Sequence, residues 1–422
     1  MTRPDQTRPD QPNYDLLYDK EYYGASLYRN CFLDTKLTYK TIQSGYVFVS
    51  PDHTFGVFDS GVFDSNGDYI EGTNLHYNPE AQKIFKLSDS EQNNSRHNSS
   101  TVIYAGVFFN IWGHLITDCI KRLWFLKTRE YKENFSDCPV VYIPMAGFKL
   151  EGNYRRFLEI LGLDCSIFTP AKKLVRYDSI IVPDESFFCD DYAYFFTDEY
   201  KNMIDIVRDF AFSNYRHTKK KKIYCSYSKC GKGKVFGEDK LERYFSSKGY
   251  EIIYPEELSF DEQLEIFANC ESFASTVGSC SHNSIFLCDD TEVILIPRAS
   301  YMTGYQEALN QLHSQRINYI DSSFSIFTDY LPWGGPFLYF ISSNLRKYFH
   351  DDDISAIIDV SDFMRYLKAN PSASNPNAYK YYSVIATEYF RKLFLLRRNK
   401  RSIKGILRKA MRAVKKLFGF IR

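Results

Sequence analysis

Long apolar runs are missing from this 422-residue chain: no window approaches 18 consecutive apolar residues, so nothing in it reads as a membrane-spanning helix. The stretch 1–14 is polar, carries TRPDQ twice in tandem and has no apolar h-region, which argues against a secretory signal peptide. Cysteine is present ten times, but no two cysteines stand at CxxC spacing and no zinc-ligand cluster is visible. Several, such as Cys165 and Cys288, lie inside apolar runs and read as free thiols of a reducing cytosol. A DxD pair in a convincing strand-end loop is also lacking. Asp190-Asp191 and the run Asp351–Asp353 read as exposed acidic loops, which argues against a metal-held phosphate. Net charge is nearly absent at +1, yet it is unevenly spread: residues 391–422 hold 13 Lys/Arg and no Asp/Glu, leaving 40 Lys/Arg against 52 Asp/Glu before them. An acidic body excludes a nucleic-acid-binding reading of the whole chain.

What is present is globular. A hydrophobic share of 44% with 25% charge suits a folded core, and 422 residues exceed one ordinary core, so two α/β domains are expected. The 34 Tyr and 35 Phe are enough to fill cores and also to line clefts. The most regular stretch is 222–298. It reads strand (222–226), Gly/Lys-rich loop (228–237), helix (238–248), a helix stop at Gly249 and strand (250–254). A second helix (259–270) follows, with Ser259 as N-cap and Glu262 as its capping-box partner, then strand (273–277), a small-residue turn (278–283) leading into a helix, and strand (293–296). This alternation predicts a parallel sheet with crossover helices, whose ligands sit at the carboxyl ends of the strands, where both loops fall.

Taken in order, 1–15 is expected to be disordered and 16–100 an irregular α+β lead-in with a polar loop at 87–100. Residues 101–109 form a strand that enters a helix whose apolar face is Leu115, Ile116, Ile120, Leu123 and Leu126. Strands at 140–144 and 179–183 and helices at 153–161 and 198–212 complete an N-terminal domain over 16–213. The basic stretch NYRHTKKKK marks the boundary, and 214–345 is the second domain. A helical segment spans 346–398, with a helix in 352–370, a loop at 371–376 and a helix at 379–396.

His114 and Asp118 are four residues apart on the first helix, so their side chains meet on one face just after a strand. Alone, such a pair is compatible with an ordinary surface or satisfied buried pair. Placed behind Gly113 at a strand-to-helix junction, it also suits a general base for a hydroxyl nucleophile.

The segment FFNIWGHLITDCIKRLWFL resembles the first signature of glycosyltransferase family 61, in which Gly-His is followed four residues after the His by Asp or Glu. The run 222–298 is similar to that family's second half through Ser226, Ser228, Lys229, Gly237, Glu238, Gly278, Ser279, His282, Asn283 and Phe286. The resemblance covers about 100–325 in the expected order. It departs at Tyr227, where Arg is common, at Cys280-Ser281-His282, where Ala/Gly-Leu-Thr is common, and at Leu295, where Glu is common. His-Asn at 282–283 suits a bacterial surface-polysaccharide branch. The resemblance implies a GT-B-like architecture, with two Rossmann-like domains facing a cleft. It implies an inverting transferase that uses a nucleotide-sugar donor and no essential metal or cofactor. Asp118 is then the first choice of base, with His114 as the close second or its partner. The donor's diphosphate would meet Ser226, Ser228, Lys229, Lys232, Lys234, Glu238, Gly278, Ser279, Ser281, His282 and Asn283, helped by the N-terminus of the helix after Gly278. The three lysines are equally compatible with a solvated basic loop.

In 402–421 apolar residues (Ile403, Ile406, Leu407, Ala410, Met411, Val414, Leu417, Phe418, Ile421) share one face and Lys or Arg fills the rest. This C-terminal amphipathic basic helix, within 399–422, has the profile of one lying on an anionic bilayer; docking on the protein's own core or on nucleic acid is the alternative. The combined expectation is a cytoplasmic enzyme, peripheral on the inner face of the cell membrane. It would glycosylate a lipid-linked or other glycan in capsule- or lipopolysaccharide-type synthesis. The rivals are a catalytically inactive sugar-nucleotide-binding scaffold and a phospho-sugar transferase.

Overall fold

The computed structural model describes residues 14–17, 29–50, 60–74, 86–145, 147–190, 193–216, 220–230, 233–298, 304–324 and 335–369. Lys232, the loop at 371–376 and the expected helices at 379–396 and 402–421 lie outside the described residues. So do residues 1–13 of the tail expected to be disordered. Its end does not fit that expectation: Tyr14 and Asp15 belong to a strand, β1 (Tyr14–Leu17), which joins a sheet formed by the chain's second half.

The first half builds a seven-stranded sheet from β2 (Tyr39–Gln43), β3 (Tyr46–Phe48), β4 (Gly61–Phe63), β5 (Arg96–Phe109), β6 (Val140–Met145), β7 (Phe168–Pro170) and β8 (Leu174–Pro183). Its order is β4-β3-β8-β5-β6-β7, with β2 also on β8. β8, β5, β6 and β7 run parallel, whereas β2 and β3 lie antiparallel to β8. This half is therefore a mixed sheet, not the all-parallel one expected of a Rossmann-like domain. The difference comes from the lead-in, whose strands β2 and β3 join the parallel strands by pairing antiparallel along β8. A hairpin of β9 (Phe187–Asp190) and β10 (Ala193–Phe196) follows, and a helix, Asp198–Tyr215, leads into the second half.

The second half follows the sequence reading closely. β11 (Lys221–Cys225), β12 (Val235–Phe236), β13 (Tyr250–Ile253), β14 (Cys270–Thr276), β15 (Glu292–Ile296) and β16 (Arg316–Ile320) come in that order. All but β12 form one parallel sheet, ordered β1-β16-β15-β14-β11-β13. β14 and β15 are buried almost throughout, as strands covered on both faces must be. Gly249 takes φ +85° after the helix Glu238–Ser247, and the Ser259–Glu262 capping box starts the helix Phe260–Ala268. β12 pairs with β18 (Phe337–Tyr339), which also pairs with β17 (Ser323–Phe324). The helix Val360–Ala369 occupies the expected 352–370 stretch.

The two halves share one continuous apolar core. Trp112 packs on Phe260 (ring centroids 5.1 Å), and Phe260 on Phe157 and Phe286 (5.6 Å each). Arg156 and Asp261 add a bidentate ion pair, at 2.7 and 2.9 Å.

Candidate active site

The segment after β5 is not the regular helix that its apolar spacing predicts. One α-turn, Trp112–His114, widens into a π-turn, Leu115–Cys119, and a 3-10 turn, Leu123–Lys127, follows. The physical reason is that nearly every side chain here is buried, on all sides. Polar ones are pinned in place: Lys121 and Arg122 both reach Glu185 Oε1 at 2.8 Å, and Arg122 also donates to the carbonyls of Pro183 and Gly72. A regular helical surface would face some of these groups away from their partners. π-turns recur at functional sites.

The turn places His114 Nδ1 2.6 Å from Asp118 Oδ2. Asp118 is only 6% exposed, and its carboxylate has two further hydroxyl partners. Thr117 Oγ1 lies 3.0 Å from Oδ2, and Tyr305 OH reaches both oxygens at 3.1 and 3.2 Å. Burial alone would raise the carboxyl's pKa. The His114 hydrogen bond and charge, with help from Lys121 and Thr117, outweigh it, and the group titrates below its ordinary range. Tyr305 packs against Tyr194 of the β9–β10 hairpin, with ring centroids 3.9 Å apart, so the hairpin backs the hydroxyl that closes on the carboxylate.

The Gly278–Asn283 turn of the second half lies against Trp112 and Gly113, immediately before this pair. Trp112 Nε1 donates to Asn283 Oδ1 at 2.7 Å. A Cβ on Gly113 would come 2.8 Å from Ser279 Oγ and 3.1 Å from His282 Nδ1, so glycine is what allows the approach. His282 is buried, and its Nδ1 has no hydrogen-bond partner among the described residues. Burial, then the nearby charges of His114 and Arg298, push its pKa down to about 3, leaving the imidazole neutral at pH 7. Ser281 Oγ contacts Gln306 Oε1 at 2.6 Å and closes the turn onto Gly278, so it holds the backbone in shape. The helix expected after this turn begins inside it, at Ser279. It is a single turn (Ser279–His282) that passes into a 3-10 turn, Asn283–Phe286, too short to carry the dipole argument.

The remaining residues singled out in the sequence divide into two groups. At the end of β11, Ser226 Oγ and Ser228 Oγ each lie 2.6 Å from Glu242 Oε1, shaping the loop. Glu238 is buried there. Its Oε1 accepts from the Tyr227 amide (3.1 Å), Tyr224 OH (3.2 Å) and Thr276 Oγ1 (3.4 Å), and burial pushes its pKa up to about 7. The lysines stand apart from this cluster. Lys229 is exposed, paired with Glu257 at 2.6 Å and lying 3.6 Å over the Tyr254 ring, and Lys234 is exposed.

Three contributors were not found from the sequence. Tyr305 and Tyr194 are ordinary aromatics until the fold brings them to Asp118. Arg298, two residues past β15, lies with its guanidinium 4.4 Å over the Tyr227 ring. A charge just beyond an apolar strand was the one available cue for it.

The family model of glycosyltransferase 61 matches residues 112–294, which starts at Trp112 and ends within β15. The match takes in most of both sequence blocks, and it supports a glycosyltransferase of that family. No curated protein matches the chain. Among the described residues no helix is long and apolar enough to cross a membrane.

Proposed function

We propose that the chain is an inverting, metal-independent glycosyltransferase of GT-B-like arrangement. It moves a sugar from a nucleotide-sugar to a hydroxyl of a glycan, lipid-linked, in capsule- or lipopolysaccharide-type surface polysaccharide synthesis. The reading is carried by one observation: the segment that carries the His114–Asp118 pair of the first half abuts the Gly278–Asn283 turn at the strand ends of the second, matching the place where acceptor and donor would meet.

The roles within the pair are the reverse of the order expected from sequence. Asp118 is buried and already receives hydrogen bonds from several donors, which makes it a poor proton acceptor. His114 donates Nδ1–H to Asp118, so its proton acceptor is Nε2. As the acceptor oxygen attacks the anomeric carbon, its proton passes to Nε2. The bond from that carbon to the diphosphate oxygen breaks, and its electron pair leaves with the nucleoside diphosphate. Asp118 holds the ring in orientation and stabilises the imidazolium that forms.

The test is a panel of nucleotide-sugars with a lipid-linked glycan acceptor, following the released nucleotide and the product mass. A transferase of this kind releases nucleoside diphosphate in step with a product heavier by one sugar. Release of nucleoside monophosphate with a phosphodiester product would instead identify a phospho-sugar transferase, and no turnover of any donor would favour an inactive scaffold.

A further inference from the structure

In the parallel sheet the chain leaves β11 toward β13 on one side and returns to β14 on the other, so the strand order reverses between β11 and β14. The crevice outside the carboxyl ends at such a reversal is where open α/β sheets bind ligands. Three neighbouring strands end there, with Tyr227 after β11, Gly278 after β14 and Arg298 after β15. Arg298 starts one strand away from the crevice. Its guanidinium reaches across β14 because residue 278 has no side chain: a Cβ at Gly278 would overlap the guanidinium carbon and both terminal nitrogens. It comes to lie over the Tyr227 ring at 4.4 Å and over the Phe337 ring at 5.0 Å. Rings on a guanidinium fix its plane and leave its N–H groups to hydrogen-bond outward at the edges. Its Nε and Nη2 are buried and have no hydrogen-bond partner among the described residues. A buried donor set on a permanent cation is costly unless an anion completes it.

We infer that Arg298 supplies the positive charge that binds the donor's diphosphate, in the crevice between β11 and β14; this rests on the nucleotide-sugar reading above. The planar fork of arginine suits bidentate contact with phosphate oxygens. Lys229 of the 228–237 loop does not stand in for it, since it is paired with Glu257 at the surface. The position also fits the chemistry, because His282 feels the charges of both Arg298 and His114 and so links the diphosphate end to the base. Glu238 is close enough to Arg298 to be affected by its charge, but its raised pKa, about 7, means that it does not hold a full negative charge against the cation at neutral pH.

The experiment is calorimetric titration of the full-length chain with UDP, GDP, CDP, dTDP and ADP, and with the monophosphate of whichever binds. Arg298→Gln is expected to weaken the diphosphate by about 10-fold to 100-fold while changing the monophosphate by less than about threefold. Arg298→Lys keeps the charge without the fork and should lie between wild type and Arg298→Gln. Gly278→Ala, which fills the guanidinium's space, should mimic Arg298→Gln. If Arg298→Gln does not fold, judged by circular dichroism, the Lys and Ala variants carry the comparison. Diphosphate affinity unchanged in the folded variants would overturn the assignment. Equal losses for mono- and diphosphate would also overturn it, by placing Arg298 at the base or ribose. If wild type binds none of the diphosphates, the donor reading fails and takes this assignment with it.

Discussion

His114 Nδ1 sits 2.6 Å from Asp118 Oδ2 while Tyr305 OH, 187 residues further along the chain, closes on the same carboxylate. The carboxylate is therefore a fixed point to which an imidazole is held, and the two should act as a unit. Asp118→Asn removes the charge that selects the Nδ1–H tautomer, and His114→Gln removes the proton acceptor. Each is expected to lower kcat by about 10²–10⁴-fold, and the double variant to be little worse than either single one. Tyr305→Phe, which leaves Asp118 its other partners, should cost about tenfold or less. His114→Gln retaining most of its activity would show that His114 is not the base and return that role to Asp118.

The bond from Trp112 Nε1 to Asn283 Oδ1 ties the first turn of one half to the turn of the other. Asn283 is fully buried, so Trp112→Phe leaves a buried acceptor unsatisfied and should cost about 1–3 kcal/mol of stability. Asn283→Ala should cost a similar amount, with the double variant costing clearly less than the sum. A double-mutant cycle on denaturant midpoints measures that coupling. Strictly additive losses would mean that the bond is not formed in solution.

Much of the second half was legible because its elements obey local rules. The Ser259–Glu262 box, the stop at Gly249 and the apolar strands are each specified by adjacent residues, and each lies where the spacing predicts. The His114–Asp118 contact was legible for the same reason, since it spans four residues. The first half was harder. Leu115, Ile116, Ile120, Leu123 and Leu126 have helical spacing, but burial on all sides and the pull of Glu185 on Lys121 and Arg122 override it. Arg298 and Tyr305 were missed because their meaning depends on which strand lies beside which. Strand order is a property of the whole chain, and no short window contains it.

Glu238 makes stability depend on pH in a specific direction. Its pKa rises from 4.5 in the unfolded chain to about 7 in the folded one, through burial, so the folded state holds the proton more tightly. Its contribution is fully present below pH 4.5, is lost as pH rises through about 7, and amounts to about 3 kcal/mol. His282 acts in the opposite sense: its imidazole, buried and neutral, has its pKa lowered from 6.5 to about 3, so that contribution is lost as pH falls. The whole-protein profile mixes the two, and the difference between wild type and Glu238→Gln isolates the first. Wild type should lose stability relative to the variant between pH 4.5 and 8, seen as diverging thermal midpoints. A constant difference across that range would show that Glu238 is not titrating as described.

The basic carboxyl-terminal segment bears on where the enzyme works. Residues 399–422 carry nine Lys/Arg, no Asp/Glu and an apolar stripe at helical spacing. Each basic residue near an anionic surface contributes about 1 kcal/mol, and an apolar face adds to this, so the segment alone is expected to suffice for peripheral binding. Full-length protein should sediment with vesicles containing phosphatidylserine or phosphatidylglycerol, and should be released by high salt. It should stay in solution with purely phosphatidylcholine vesicles. Deleting 399–422 should abolish sedimentation and shift the protein from the membrane to the soluble fraction of cells, while transfer to a short water-soluble acceptor persists. If the truncated chain remains on the vesicles, the membrane contact lies elsewhere. If transfer to the soluble acceptor is lost as well, the segment belongs to the fold.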